Sequence, residues 1–455
     1  MAFLEQVERT VGGLHGMMLL RHGKVAARAW WRPYTARAPH MLFSLTKSFT
    51  STAAGFAVHD GKLALDAPVL SFFPDRAPAQ PDANMRAMQV RHLLTMTTGH
   101  DQDATGPMTR AEDGDWVRAF LHLPVEHPPG TKFVYNSAAS HMVSAIVQQV
   151  MGQPIHLLLR ERLFQPLGIS GEQWQKDPKG IALGGWGLSL TTEGVARFGQ
   201  MLLQGGVWAG RQLVPADWVA QATSRQVSNG TDPNSDWAQG YGYQFWRCRH
   251  GAYRGDGAFG QFCVVMPEQD AVLAITSGVP DMGAVLQAAW DRLLPAMRPS
   301  SLRPGRGESE ALQAMLRGRA LAVPEGDSEP AAPDRISGRS YLCAENPDGW
   351  KSLRVTLAED HVRIETVTAG ATSRYRCGYR DWISGTMRYR EGPAKVAARA
   401  AWQRPDTLVV TLCYTETPFV ETHTLRFEDD RLTINRRVNV SFGPTTLPEI
   451  RARRA

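Results

Sequence analysis

MLFSLTKSFTSTAAG, residues 41–55, sets a serine and a lysine three positions apart in a stretch otherwise built from apolar and hydroxyl side chains. On a helix, residues three apart share one face, so the Ser44 hydroxyl and the Lys47 amine come within hydrogen-bond reach. Phe43, Leu45, Phe49, Ala53 and Ala54 flank the lysine, a poor setting for a solvated charge. Burial disfavours the ammonium form, and a neutral amine can take the proton of an attacking hydroxyl. Ser44 is therefore the candidate nucleophile and Lys47 its candidate base. A serine near the start of its helix also offers its own backbone N–H to a developing oxyanion. The competing explanation of the same spacing is a helix cap followed by a surface lysine. Ser44-Leu45-Thr46-Lys47 is the only Ser-x-x-Lys in the 455 residues.

Working outward, the helical pattern runs from Ser44 to about Asp60 and stops at Gly61. Upstream, GMMLLRHGKVAARAWW predicts two strands turning at His22-Gly23. Downstream, a Pro-punctuated, mostly helical stretch reaches about residue 225 and includes VRHLLTMT, SAASHMVSAIVQQVMG and TTEGVARFGQMLLQGG. Strand character returns in GYGYQFWRC, FGQFCVVMP and DAVLAITSG, and MGAVLQAAWDRLLPAM predicts a final helix. Strands at both ends enclosing helices imply one antiparallel sheet beside a helical lobe, an α+β arrangement with a cleft between them.

PPGTKFVYNSAASH places Tyr135, Asn136 and Ser137 after a Pro-Pro-Gly turn and just ahead of an amphipathic helix. The Tyr135 phenol can exchange protons, and the proline-held loop can aim it at Ser44. With this second element the chain resembles the penicillin-recognising serine hydrolases: class C β-lactamases, DD-peptidases, family VIII esterases and 6-aminohexanoate-dimer hydrolases. Their order is Ser-x-x-Lys, then Tyr-x-Asn or Tyr-x-Ser, then a glycine-containing strand. Ser44 and Lys47 match the first, and Tyr135 and Ser137 the second. LLTMTTGHD and GGWGLSLTTEGVARFGQMLLQGG resemble family segments in the right order, and the likeness spans roughly residues 10 to 297. It implies a β-lactamase/DD-peptidase-like fold and acyl-enzyme chemistry.

The third element departs from the β-lactamase pattern. In place of Lys-Thr-Gly or His-x-Gly the chain reads Tyr253-Arg254-Gly255-Asp256-Gly257-Ala258-Phe259-Gly260-Gln261. Its Gly-Ala-Phe-Gly-Gln core resembles the esterase and aminohexanoate-hydrolase branch, where a backbone N–H of this strand completes the oxyanion hole. Ala258 is the expected donor, with Gly257 next. Asn136, Ser137, Asp256, Gly257 and Gly185 are expected to touch substrate; a packing loop is the competing explanation for Gly184-Gly185. If Arg254 points into the cleft, strand alternation turns Asp256 the same way and partly cancels it; with both turned outward the pocket is uncharged. No metal or other cofactor is expected; His122 and His127 bracket a Pro-containing turn and suit a surface.

The boundaries expected are a hydrolase domain at 1–298, a Pro, Gly and acid-rich linker at 299–335, and a β-rich barrel or sandwich at 336–455, where segments such as HVRIETVT and TLVVTLCYTE alternate. Every expected catalytic group precedes the linker, which casts the tail as an accessory. The five cysteines are odd in number and lack any Cys-x-x-Cys, so they predict buried thiols. The net charge of +6 is scattered among nearly as many acids, which gives nucleic acid no basic face. No run approaches a membrane span and no signal peptide is read, so the expected location is cytoplasmic. The expected partner is a small ester or amide substrate, with oligomeric state open. β-Lactamase or D-amino-acid peptidase activity, and a non-catalytic acyl-ligand sensor, remain the alternatives.

Overall fold

The structure, a computed structural model, describes residues 1–299, 305–326, 329–389 and 392–455; the parts of the expected linker at 300–304 and 327–328 lie outside the described residues. A six-stranded antiparallel sheet runs in the order Lys24–Trp30, Gly16–Arg21, Ala271–Thr276, Gln261–Met266, Tyr253–Gly257, Trp246–Arg247. The N-terminal hairpin thus pairs directly with residues 271–276, Gly16 opposite Thr276. The strands QFCVVM and AVLAIT are buried at every position. Their alternation sends Phe262, Val264, Leu273 and Ile275 to one side, against Phe3, Leu4 and Val7 of the first helix and Val285 and Leu286 of the last. Cys263, Val265, Val272 and Ala274 go to the other side, into the core that holds Phe49 and Phe198. Covered faces on both sides explain why these strands are apolar throughout instead of alternating.

The helix Thr46–His59 is buried over residues 46–57. A helix without a polar face belongs at the centre of a packed lobe, and here it lies against the sheet and the helix Ser137–Met151. Its approach is fixed by two bonds to one residue: Leu42 N–H donates to Leu188 O at 2.9 Å, and Leu188 N–H to Thr46 Oγ1 at 3.2 Å. Between them Phe43–Leu45 forms a 3-10 turn, with Phe43 in a left-handed conformation at φ 47°. Strain of that kind persists only where the surroundings hold it, and the Phe43 ring meets Phe259, Phe419 and Phe442 edge-on at 5.4–6.3 Å.

GYGYQFWRC forms strand only at Trp246–Arg247. Gly242 N–H turns back to Phe245 O at 2.8 Å, and Gln244 adopts a left-handed φ of 66° that buries its amide. That amide accepts from Ser140 Oγ at 2.6 Å and donates to the Leu93 and Leu94 carbonyls at 3.2 and 2.9 Å. One buried side chain thus makes three bonds to two helices, Val90–Leu94 and Ser137–Met151, in place of further ladder bonds.

Beyond residue 336, ten strands from Arg339–Cys343 to Thr446–Arg454 form one sheet whose first and last strands are neighbours. A parallel bridge between Gly378 and Arg399 draws its two ends together, closing a barrel over Tyr341, Val355, Val410, Leu412 and Ile434. The connecting segment is docked, not free. Leu316 of the helix Arg306–Arg317 enters the sheet core, Arg319 pairs with Glu8 at 2.6 Å, and Leu321 N–H donates to Arg32 O at 2.9 Å. The barrel in turn bonds the sheet domain next to Phe43: Met41 N–H donates to Glu416 O at 2.9 Å, and Tyr34 OH to Thr417 O at 3.0 Å. All five cysteines are free, four of them buried and Cys343 half-buried. Among the described residues, no single helix is long and apolar enough to cross a membrane.

The strand Tyr253–Gly257 lies flat on the Leu42–Ser48 segment. A Cβ on Gly257 would stand 2.0 Å from the Leu42 carbonyl oxygen, and one on Gly255 2.4 Å from Ser48 Oγ. Backbone cannot rotate away as a side chain can. Gly257→Ala is therefore expected to cost about 1–3 kcal/mol, the range for overpacking, read as a lower midpoint in thermal unfolding; an unchanged midpoint would show that strand and segment separate freely.

Candidate active site

Lys47 Nζ stands at the centre of the constellation. It donates to Ser44 Oγ at 3.0 Å, Ser137 Oγ at 2.9 Å and the Gly185 carbonyl at 2.8 Å. The side chain is 1% exposed. Burial pulls its pKa down to about 7, against the upward pull of Asp103 and Asp256. The third acceptor is reachable because residues 184 and 185 have no side chains: a Cβ on Gly184 would meet Ser140 O at 2.0 Å, and one on Gly185 Ser137 O at 2.7 Å. The glycine pair thus packs on the helix Ser137–Met151 while one carbonyl faces the amine.

That helix delivers the next two groups. Asn136 caps it, accepting from Ala138 N–H at 3.1 Å and Ala139 N–H at 3.4 Å as an N-cap asparagine does. Ser137 N–H donates to Asp103 Oδ1 at 3.0 Å. Just ahead, the Tyr135 side chain hydrogen-bonds Ser44. Its phenol pKa is raised, chiefly by burial and then by Asp256, with the Ser44 hydrogen bond opposing. The ring stacks on Trp246 at 5.2 Å, and Lys47 Nζ lies 4.8 Å from its centroid.

Ser44, Tyr135, Ser137, Gly185, Asp256 and Ala258 line one cavity of about 660 Å³. The Phe43 and Ser44 amides precede the first bond of the 3-10 turn, Leu45 N–H to Leu42 O at 3.2 Å. On the facing strand, Ala258 begins a turn held by Gln261, whose Nε2 donates to Ala258 O at 3.0 Å and Ser277 O at 2.8 Å. Ser277 Oγ donates to the Phe259 and Gly260 carbonyls, both at 2.8 Å.

Two of the residues expected to touch substrate do something else. Asn136 is fully buried as the helix cap and does not line the cavity. Gly257 faces Leu42, where its lack of a side chain serves packing. Arg254 and Asp256 do turn the same way: Arg254 Nε and Nη2 reach Asp256 Oδ2 at 2.9 and 2.8 Å, with the guanidinium 0% exposed and 4.6 Å from the Trp237 ring centre. The cation is spent on its neighbour.

The sequence reading passed over several side chains in the same cavity. Asp103 belongs to the TTGHDQD run, and its carboxylate also accepts from Thr105. Trp246 stood in a segment valued only for strand character, and Trp237 just ahead of it in a stretch given no role. Phe442 comes from the barrel and was out of reach, because nothing local to it points to a cleft built some four hundred residues earlier.

The Beta-lactamase family model matches residues 4–296. A 6-aminohexanoate-dimer hydrolase from Paenarthrobacter ureafaciens is 25% identical over 285 residues, 58% of this chain and 72% of that protein. Esterase EstB from Burkholderia gladioli is 29% identical over 171 residues, 34% of this chain and 43% of the esterase. The octameric penicillin-binding protein homologue from Pyrococcus abyssi superposes with a TM-score of 0.50 at 16% identity, over 99% of this chain and 98% of that one. The chain belongs to the β-lactamase family and is one of its hydrolases. The Pyrococcus likeness shows that the fold of its two parts together has a counterpart.

Proposed function

We propose that the protein hydrolyses a small ester or amide through an acyl-enzyme on Ser44. The observation that carries this reading is the buried Lys47 amine, 3.0 Å from Ser44 Oγ and with a pKa lowered to about 7. Near neutrality a large share of it is unprotonated and able to take the hydroxyl proton as Ser44 Oγ bonds to the substrate carbonyl carbon. The oxyanion forms between the backbone N–H groups of Ser44 and Ala258. Collapse breaks the C–O or C–N bond, and the leaving group takes a proton relayed from Lys47 through Tyr135. The raised phenol pKa keeps Tyr135 protonated, which suits a donor and relay. Water then attacks the acyl carbon and gives its proton to the same pair, which returns it to Ser44 Oγ as the acyl C–O bond breaks. Ser137 holds the lysine in place, and Asp103 holds Ser137.

The likeness to an esterase and to a 6-aminohexanoate-dimer hydrolase supports ester and amide substrates. A β-lactam or D-peptide substrate brings a carboxylate. Among the described residues, the carboxylates lining the cavity are Asp103 and Asp256, and Arg254 is already paired. That field favours neutral or amine-bearing substrates.

Intact-protein mass after a fluorophosphonate should show one adduct on wild type and none on Ser44→Ala; equal labelling would sink the nucleophile assignment. Lys47→Arg should nearly abolish turnover, because arginine does not release its proton, and Tyr135→Phe should cost on the order of 10²-fold. Rates on a neutral ester should rise with pH and reach half-maximum near pH 7, since the protonated lysine below that pH cannot act as base; a flat profile from pH 5 to 9 would assign the base elsewhere. Finally, kcat/KM for p-nitrophenyl butyrate should exceed that for nitrocefin. The reverse order would promote the β-lactamase alternative, and absence of any turnover the ligand-sensor one.

A further inference from the structure

Four large apolar side chains stand exposed among the described residues, and Phe442, at 78%, is the most exposed of them. It is also the one of the four that lines the cavity holding Ser44. Exposed apolar surface costs solubility without adding to a core, and it marks contact surfaces when it borders a cleft.

The loop that carries Phe442 is fastened. Val438 N–H donates to Thr445 O at 2.9 Å across its base, and Gly443 N–H to Ser441 Oγ at 3.0 Å within it. Asn439 ties it to both parts of the molecule. Its Nδ2 donates to Gly278 O in the sheet domain at 2.8 Å and to Pro418 O in the barrel at 2.9 Å, and its Oδ1 accepts from Val420 N–H at 2.7 Å. Residue 278 must lack a side chain for this contact, since a Cβ there would stand 2.2 Å from Pro418 O. The Phe442 ring then rests 4.8 Å from Phe259 and 5.8 Å from Phe43, the residues that border Ala258 and Ser44 in sequence. In the same cavity, Trp186, Trp237, Trp246 and Met282 offer further apolar surface.

We propose that Phe442 is a specificity-determining residue, through which the C-terminal barrel supplies part of the wall for an apolar acyl chain. The cavity of about 660 Å³ is of the size that holds small-molecule ligands, with room for an extended acyl chain. This rests on Ser44 as the nucleophile, since the wall is defined by its distance from the acylated oxygen. The barrel then acts on substrate choice and leaves the proton transfers to the sheet domain.

The experiment compares full-length wild type, Phe442→Ala and Phe442→Leu on p-nitrophenyl acetate and p-nitrophenyl octanoate, which share a leaving group. The octanoate-to-acetate ratio of kcat/KM should fall about tenfold in Phe442→Ala, mainly through KM, the scale of lost apolar contact in a specificity pocket. Phe442→Leu should give an intermediate ratio, and it reads the same effect should the alanine variant not fold. An unchanged ratio in both variants overturns the proposal. Fluorophosphonate labelling of the wild type is run alongside, and absence of a Ser44 adduct there overturns the nucleophile assignment, which the chain-length ratio does not itself report.

Discussion

A lysine amine with almost no access to water is the constraint around which this molecule is arranged. An ammonium so placed needs acceptors or loses its proton, and here both happen in part: three oxygens converge on Lys47 Nζ, yet burial still lowers the pKa to about 7. Each acceptor demands something of the fold. Ser44 must sit one turn earlier, in the 3-10 turn that leads into the lysine's helix. Ser137 must begin a second helix, which its Asn136 cap and the Asp103 contact arrange. The Gly185 carbonyl must come close to that helix, which only a glycine pair permits. Removing any one would leave the buried amine two acceptors in place of three.

A second requirement is that the sheet reach the serine. Gly255 and Gly257 let the strand lie on the Leu42–Ser48 segment, and the following turn brings Ala258 to the cleft. The other face of that strand carries Arg254 and Asp256, whose mutual pairing leaves no cation there for a substrate carboxylate. The aromatic content of the cleft is shared between domains. Phe43, held at a positive φ beside Ser44, is packed by Phe259 of the sheet domain and by Phe419 and Phe442 of the barrel. The barrel is thus part of what keeps the serine turn in place, a stronger tie than an accessory tail implies.

Legibility varied with the range of the deciding contacts. The hairpin at His22-Gly23, the helix after Ser44 and the barrel strands around HVRIETVT and TLVVTLCYTE were readable because local periodicity and turn residues specify them. Gly392–Arg404 went unread: its run AKVAARAAW is rich in residues that favour helix, and it forms a strand because neighbours on both sides pair with it. GYGYQFW misled in the opposite sense, since its aromatics suit a strand while the buried bonds of Gln244 break one.

By itself the sequence determined the pairing at the centre of the site. A three-residue spacing across the helical turn and the start of the helix brings Ser44 and Lys47 together, and apolar neighbours favour burial of the amine. Tyr135 was placed by a proline-held loop and by the family order of motifs. Tertiary structure alone decided what surrounds them: that Asn136 caps a helix, that Gly257 packs, that Asp103 joins the cleft, and that a phenylalanine from the barrel completes it. The physical reason is that these roles depend on which surfaces meet across long separations in the chain, and the meeting is set by packing the whole core and both domains, not by any pattern that a short stretch of residues can carry.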